Sequence, residues 1–129
     1  MLCNGASTAS IDLTVSGGTP IYTAAWTGPG TFAATTEDLS SLIAGTYNVT
    51  ITDNNLCTST SSITITEPTK LTLSTSKVDV LCNGKSTGSI DLTIAGGVTA
   101  YSKSWTGPSS YSNNTEDINT LAAGSYSVI

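Results

Sequence analysis

One stretch of this chain occurs twice. LCNGASTASIDLTVSGG begins at Leu2, and LCNGKSTGSIDLTIAGG begins at Leu81. The same offset runs on without a gap through Tyr22/Tyr101, Trp26/Trp105, Gly28-Pro29/Gly107-Pro108, Glu37-Asp38/Glu116-Asp117, Gly45/Gly124 and Tyr47/Tyr126. By direct count, 26 of the 49 paired positions from Leu2/Leu81 to Thr50/Ile129 are identical. Shared composition does not produce that, so the chain carries a tandem duplication. The duplication constrains the fold, because whatever one copy forms the other must form as well. The period of the repeat is too long for a solenoid unit and fits small domains strung end to end.

The pattern inside each copy says what the domain is. In Leu42–Asp53, Tyr47, Val49 and Ile51 alternate with Asn48, Thr50 and Thr52, the period of a strand with one buried face. Further alternating runs cover Ser10–Ser16, Tyr22–Thr27, Thr58–Thr66 and Leu71–Ser76, separated by Asn4-Gly5, Gly17-Gly18, Gly28-Pro29-Gly30 and Asp53-Asn54-Asn55. Thr31–Asp38 reads as irregular, with room for a short edge strand, and Leu39 and Leu42 as dipping into the core. No segment has the apolar stripe of a helix, so almost no helix is expected. Short strands with turn signals at close, regular spacing are the signature of a β-sandwich. The sequence Leu42, Gly45, Tyr47, repeated as Leu121, Gly124, Tyr126, matches the tyrosine corner of immunoglobulin-like sandwiches, in which the phenol bonds back to upstream backbone. The expected fold is all-β: tandem immunoglobulin-like sandwiches.

Repeat phase and domain phase differ. Ile63-Thr64-Ile65 is followed by Glu67-Pro68, a strand stop, because proline has no N–H to give a ladder. The run from Leu71 then reads as the first strand of a second domain. The expected division is 1–67, an immunoglobulin-like repeat without its first strand, and 68–129, one without its last strands. On this reading the sequence is a window on a longer array, both sandwiches have open edges, and strand addition or filament assembly through those edges is expected.

Three cysteines suggest one pair per domain. Cys3–Cys57 would close a loop worth roughly 4 kcal/mol in the chain-entropy picture, and Cys82 would pair near position 136. The alternative is a free thiol in each domain. A bridge would imply an oxidising, extracellular setting. With no His and no Cys-x-x-Cys, zinc is not expected.

Several other classes are disfavoured. The net charge of −5 lacks the basic footprint of a nucleic-acid binder. No apolar run approaches the length of a membrane span, and no signal peptide is visible. Without His, neither a Ser-His nor a Cys-His nucleophile exists. No phosphate-cradling glycine loop precedes a helix, so no cofactor and no enzymatic activity are expected.

The order Leu-Cys-Asn-Gly, Gly-Ser-Ile-Asp-Leu-Thr, Gly-Gly, Tyr…Trp, Leu-x-Ala-Gly-x-Tyr-x-Val, Thr-Asp-x-Asn-x-Cys and Ile-Thr-Ile-Thr-Glu-Pro resembles the SprB repeat of very large Bacteroidetes surface adhesins. The resemblance covers nearly the whole chain. It implies an immunoglobulin-like sandwich, export by type IX secretion, and a structural or adhesive role at the cell surface in attachment or gliding motility, with no catalytic residues to carry over. Leu56 departs from the pattern, standing where the family often has glycine.

Two sharper readings compete with plain architecture. Trp26 and Trp105 belong to the core on the first reading; on the second they are stacking platforms of a carbohydrate-binding or spacer module on a glycan-degrading enzyme. Glu37-Asp38, Glu116-Asp117, Asp12/Asp91 and Asp53 are solvated loop charges on the first reading and calcium ligands on the second. Tyr22/Tyr101 and Phe32/Tyr111 are the better candidates for exposed aromatics, with packing at the rim the expected reading for them. Tyr47 and Tyr126 are assigned to the core with the tryptophans. Partners expected are neighbouring repeats of the same chain, with surface polysaccharide or other surface proteins as ligands.

Overall fold

The alternating Thr/Val/Ile runs form strands throughout the computed structural model, which describes residues 2–129. The chain divides into two units, Met1–Thr69 and Lys70–Ile129. The first contains β1 (Ala9–Ile11), β2 (Thr23–Thr27), β3 (Ala33–Ala34), β4 (Leu39–Leu42), β5 (Gly45–Thr52) and β6 (Thr58–Ile65). The second contains β7 (Thr72–Val78), β8 (Gly88–Ala95), β9 (Trp105–Gly107), β10 (Tyr111–Asn113), β11 (Ile118–Leu121) and β12 (Ser127–Val128). A 3₁₀ turn at Pro108–Ser110 interrupts the strands.

In the first unit, β1 pairs with β4, and a four-stranded sheet runs β3-β2-β5-β6. In the second, the sheets run β11-β8-β7 and β10-β9-β12. Every pairing is antiparallel. The two sheets of each unit share one core. Ile11, Leu39 and Leu42 from one sheet meet Trp26, Tyr47 and Val49 from the other. Leu92, Ile118 and Leu121 meet Trp105 in the second unit. The fold is therefore all-β, built of facing antiparallel sheets.

β4 departs from plain alternation. Leu39 and Leu42 are both buried although three positions apart. The ladder shifts register between Ala9 and Ile11, and Ser41 takes a φ of 56°. This local irregularity turns both leucines inward, as a β-bulge does. The second unit repeats it: Ile118 and Leu121 are buried, the register shifts between Asn119 and Leu121, and Thr120 has a φ of 57°.

The strand expected over Ser10–Ser16 is shorter than its pattern predicts, ending at Ile11. Its counterpart β8 runs the full span from Gly88 to Ala95. The difference has a physical cause. β7 pairs with β8 from Thr72↔Ala95 to Val78↔Ser89, whereas among the described residues no strand pairs with residues 12–16. Burial follows: Leu92 is 2% exposed, and its equivalent Leu13 is only half-buried. The reverse holds at the other sheet. β6 lies along the whole of β5, from Gly45↔Ile65 to Thr52↔Thr58, and Tyr47 is buried. Among the described residues no strand flanks that side of β12, and Tyr126, assigned to the core from sequence, is half-buried.

Candidate functional site

Glycine, proline and tyrosine interlock at the start of β5. The Tyr47 hydroxyl donates to the Ile43 carbonyl at 3.1 Å, which is the tyrosine corner. The ring lies against Gly28, where a Cβ would stand 2.7 Å from two ring carbons. Pro29, next in sequence, covers Gly45 in the same way, with its Cγ 2.3 Å from the position of a Cβ. Phe32 packs edge-on to Tyr47 with ring centroids 5.1 Å apart. The second unit repeats each contact. Tyr126 donates to the Ala122 carbonyl at 3.1 Å, Gly107 faces its ring, Pro108 covers Gly124, and Tyr111 meets the ring edge-on at 5.3 Å. Gly28-Pro29, which reads as a strand breaker in sequence, is thus half of a lock whose other half is Gly45 and Tyr47.

A second duplicated device joins the two sheets of each unit. Trp26 Nε1 donates to the Thr36 carbonyl at 2.9 Å. Thr36 Oγ1 donates to the Asp38 carbonyl at 2.9 Å, and Asp38 Oδ1 accepts the Leu13 amide at 3.1 Å. Trp105, Thr115, Asp117 and Leu92 form the same chain of bonds. Both tryptophans are 2% exposed. They present no stacking face to a sugar, so the carbohydrate reading loses its principal residues. Tyr22 and Tyr101 donate to the Gly17 and Gly96 carbonyls, pinning the Gly-Gly turns, while Phe32 and Tyr111 are half-buried.

Asp53 serves the backbone in the same manner. Asp53 accepts the amides of Thr19 at 2.9 Å, Asn55 at 2.9 Å and Cys57 at 2.8 Å. These bonds, led by that from Thr19, hold its carboxyl below its ordinary value of 3.8, because they favour the charged acceptor. A depressed folded-state pKa stabilises at pH values above the ordinary one, and the contribution disappears as pH falls through the folded value. Asp53 should therefore titrate with a midpoint under 3.8 by carboxyl NMR. The Thr19 and Cys57 amides should lose protection, relative to unstructured amides at the same pH, below that midpoint, and Asp53→Asn should show the loss already at neutral pH. Asp12 and Asp91 are exposed, as is Glu37, and Glu116 meets Lys103 at 3.4 Å. Among the described residues no three His, Cys, Asp or Glu side chains gather in a metal-binding group.

The expected Cys3–Cys57 bridge does not form; Cys3, Cys57 and Cys82 are all free and exposed. The two ends of β6 explain it. The Gly5 amide donates to Glu67 Oε2 at 2.5 Å, and Asn4 Nδ2 donates to the Pro68 carbonyl at 3.1 Å. These bonds hold the Cys3 turn near the last residues of β6. Cys57 precedes the first. Eight extended residues at about 3.3 Å each put those ends roughly 25 Å apart, while a disulfide needs Cα atoms within about 7 Å. All three thiols should take up maleimide in the folded protein, and the intact mass should be the same with and without reductant.

What remains as a candidate site is the open edge of the first unit. Beside residues 12–16 lies a cavity of about 150 Å³ lined by Val15, Gly18, Tyr22 and Ile51, among others.

Residues 1–31 and 74–110 match the family model described as the SprB repeat, together just over half of the chain. The two matches end at equivalent positions of the duplication, and the second begins inside β7. No curated protein and no solved structure matches the chain.

Proposed function

This chain belongs to the SprB repeat family, whose members are repeat modules of cell-surface gliding and adhesion proteins, and on that premise we propose that it is a structural and adhesive segment of a secreted surface filament acting in attachment or gliding. The observation that carries the reading is the duplication itself. Two copies keep the same tyrosine lock, tryptophan–aspartate bridge and bulged strand at one fixed, ungapped offset. Repetition of a whole domain suits reach and resistance to pulling, since each bead must be sheared open strand by strand before the filament lengthens. Of the described helices, none is long and apolar enough to cross a membrane.

Fab fragments raised against this chain, applied to intact cells of the source organism, test this. Labelling of unpermeabilised cells, together with loss of attachment or gliding, supports the proposal. Labelling only after permeabilisation would sink it. Surface labelling with normal attachment and gliding would reduce the segment to a spacer and overturn its adhesive part.

A further inference from the structure

We propose that the first unit binds an extended strand of β7-like sequence along residues 11–16, antiparallel, in the register that the second unit displays. The second unit supplies the template. There β7 lies on β8, with Thr72, Leu73, Ser74, Thr75, Ser76 and Lys77 opposite Ala95, Ile94, Thr93, Leu92, Asp91 and Ile90. The equivalent positions in the first unit are Ser16, Val15, Thr14, Leu13, Asp12 and Ile11; four of the six are identical, and a fifth differs only between Val and Ile. The surface that receives β7 is thus present twice, and among the described residues one copy of it is bare along 12–16.

The bare edge has the chemistry of an acceptor. Among the described residues its outer backbone groups have no backbone partner, the condition that invites strand addition. Leu13 is already fixed by Asp38 on the Leu13 amide, as Leu92 is by Asp117, so the segment is held in place before any strand arrives. The cavity of about 150 Å³ beside it is bordered by Val15, Gly18 and Tyr22. Ile94 and Tyr101, equivalent to Val15 and Tyr22, line one cavity together with Leu73 of β7 and Leu71 just before it, and Leu71 lies against Gly97, the equivalent of Gly18. The occupant is therefore an extended segment with leucines two apart, as in Leu71-Thr72-Leu73. One difference sets where pairing stops. Gly88 stands so close to β7 that a Cβ there would meet the Val78 carbonyl at 3.3 Å; the first unit has Ala9 at that position. Pairing should end before the partner's Val78.

The probe is a synthetic peptide, residues 70–77 (KLTLSTSK), added unlabelled to the ¹⁵N-labelled full chain. Amide shifts confined to residues 11–16 and their neighbours Tyr22 and Ile51, with exchange along the edge slowed roughly tenfold or more, support the proposal. The same peptide carrying Leu73→Asp should lose the effect. No shift at millimolar peptide, shifts on β8 from displacement of the resident β7, or equal binding of the Leu73→Asp peptide would each overturn it. None of these outcomes depends on where the protein resides, so they are distinguishable from failure of the surface-filament reading.

Discussion

Trp26→Ala should unfold the first unit and leave the second standing. Trp26 is 2% exposed and packs with Ile11, Leu39, Leu42, Tyr47 and Val49, so truncation opens a large cavity. Such changes cost about 3–5 kcal/mol. A domain of this size has a total stability of the same order, at roughly 0.05–0.15 kcal/mol per residue. The substitution also removes the donor to the Thr36 carbonyl and with it the bridge that steadies Asp38 and the Leu13 amide. The chain has two tryptophans, so in the variant Trp105 alone reports by fluorescence. Its emission should stay that of a buried indole, and its urea midpoint should match that of the wild type. Far-ultraviolet dichroism should meanwhile lose the first unit's share of strand. If the Trp105 midpoint falls with the first unit, the two do not fold independently. Trp26→Phe separates bulk from hydrogen bonding: an aromatic ring stays but the carbonyl loses its partner, at about 1–3 kcal/mol.

How much of this could be read from the residues depended on how local each cause was. The tyrosine corner was legible because Leu42, Gly45 and Tyr47 lie within one turn of chain, and the bond from Tyr47 reaches back only to Ile43. The alternation of Tyr47, Val49 and Ile51 likewise marked the buried face of β5. β4 was not legible as a strand, because a bulge at Ser41 converts period two into a spacing of three. The Ser10–Ser16 run has the right pattern, but a strand needs a neighbour as well as a pattern. The expected disulfide fails for a related reason. Sequence places Cys3 and Cys57 in one domain but does not reveal that β6 holds them at opposite ends. Asp38 and Asp53 read as solvated charges or ligands, since nothing in a single sequence marks a carboxylate as the acceptor for a particular backbone amide. The duplication of Thr-Glu-Asp after each Trp is the one available signal for the tryptophan–aspartate bridge, and it shows a recurring pair of acids without showing what they hold.

Gly45→Ala should be nearly as damaging as loss of the tryptophan, though it adds a single methyl group. Gly45 has a φ of 146°, a region open in practice to glycine alone, and occupying it with a side chain costs about 1–3 kcal/mol. The new Cβ would also stand 2.3 Å from Pro29 Cγ, inside any real contact distance. Pro29 cannot swing aside, because its ring fixes the backbone beside Gly28, which itself lies under Tyr47. Overpacking of this kind adds about 1–3 kcal/mol, so the total should be roughly 2–6 kcal/mol. Pairing the change with Pro29→Ala separates the two causes. The clash is relieved and the backbone strain stays, so the double variant should recover part of the loss but not all of it. Gly124→Ala against Pro108 repeats the test in the second unit, where the same 2.3 Å approach occurs but Tyr126 is only half-buried. The looser surroundings give room to yield, so its cost should be smaller. Equal costs at the two sites would mean that backbone strain alone sets the penalty, with no share from the packing of proline and tyrosine.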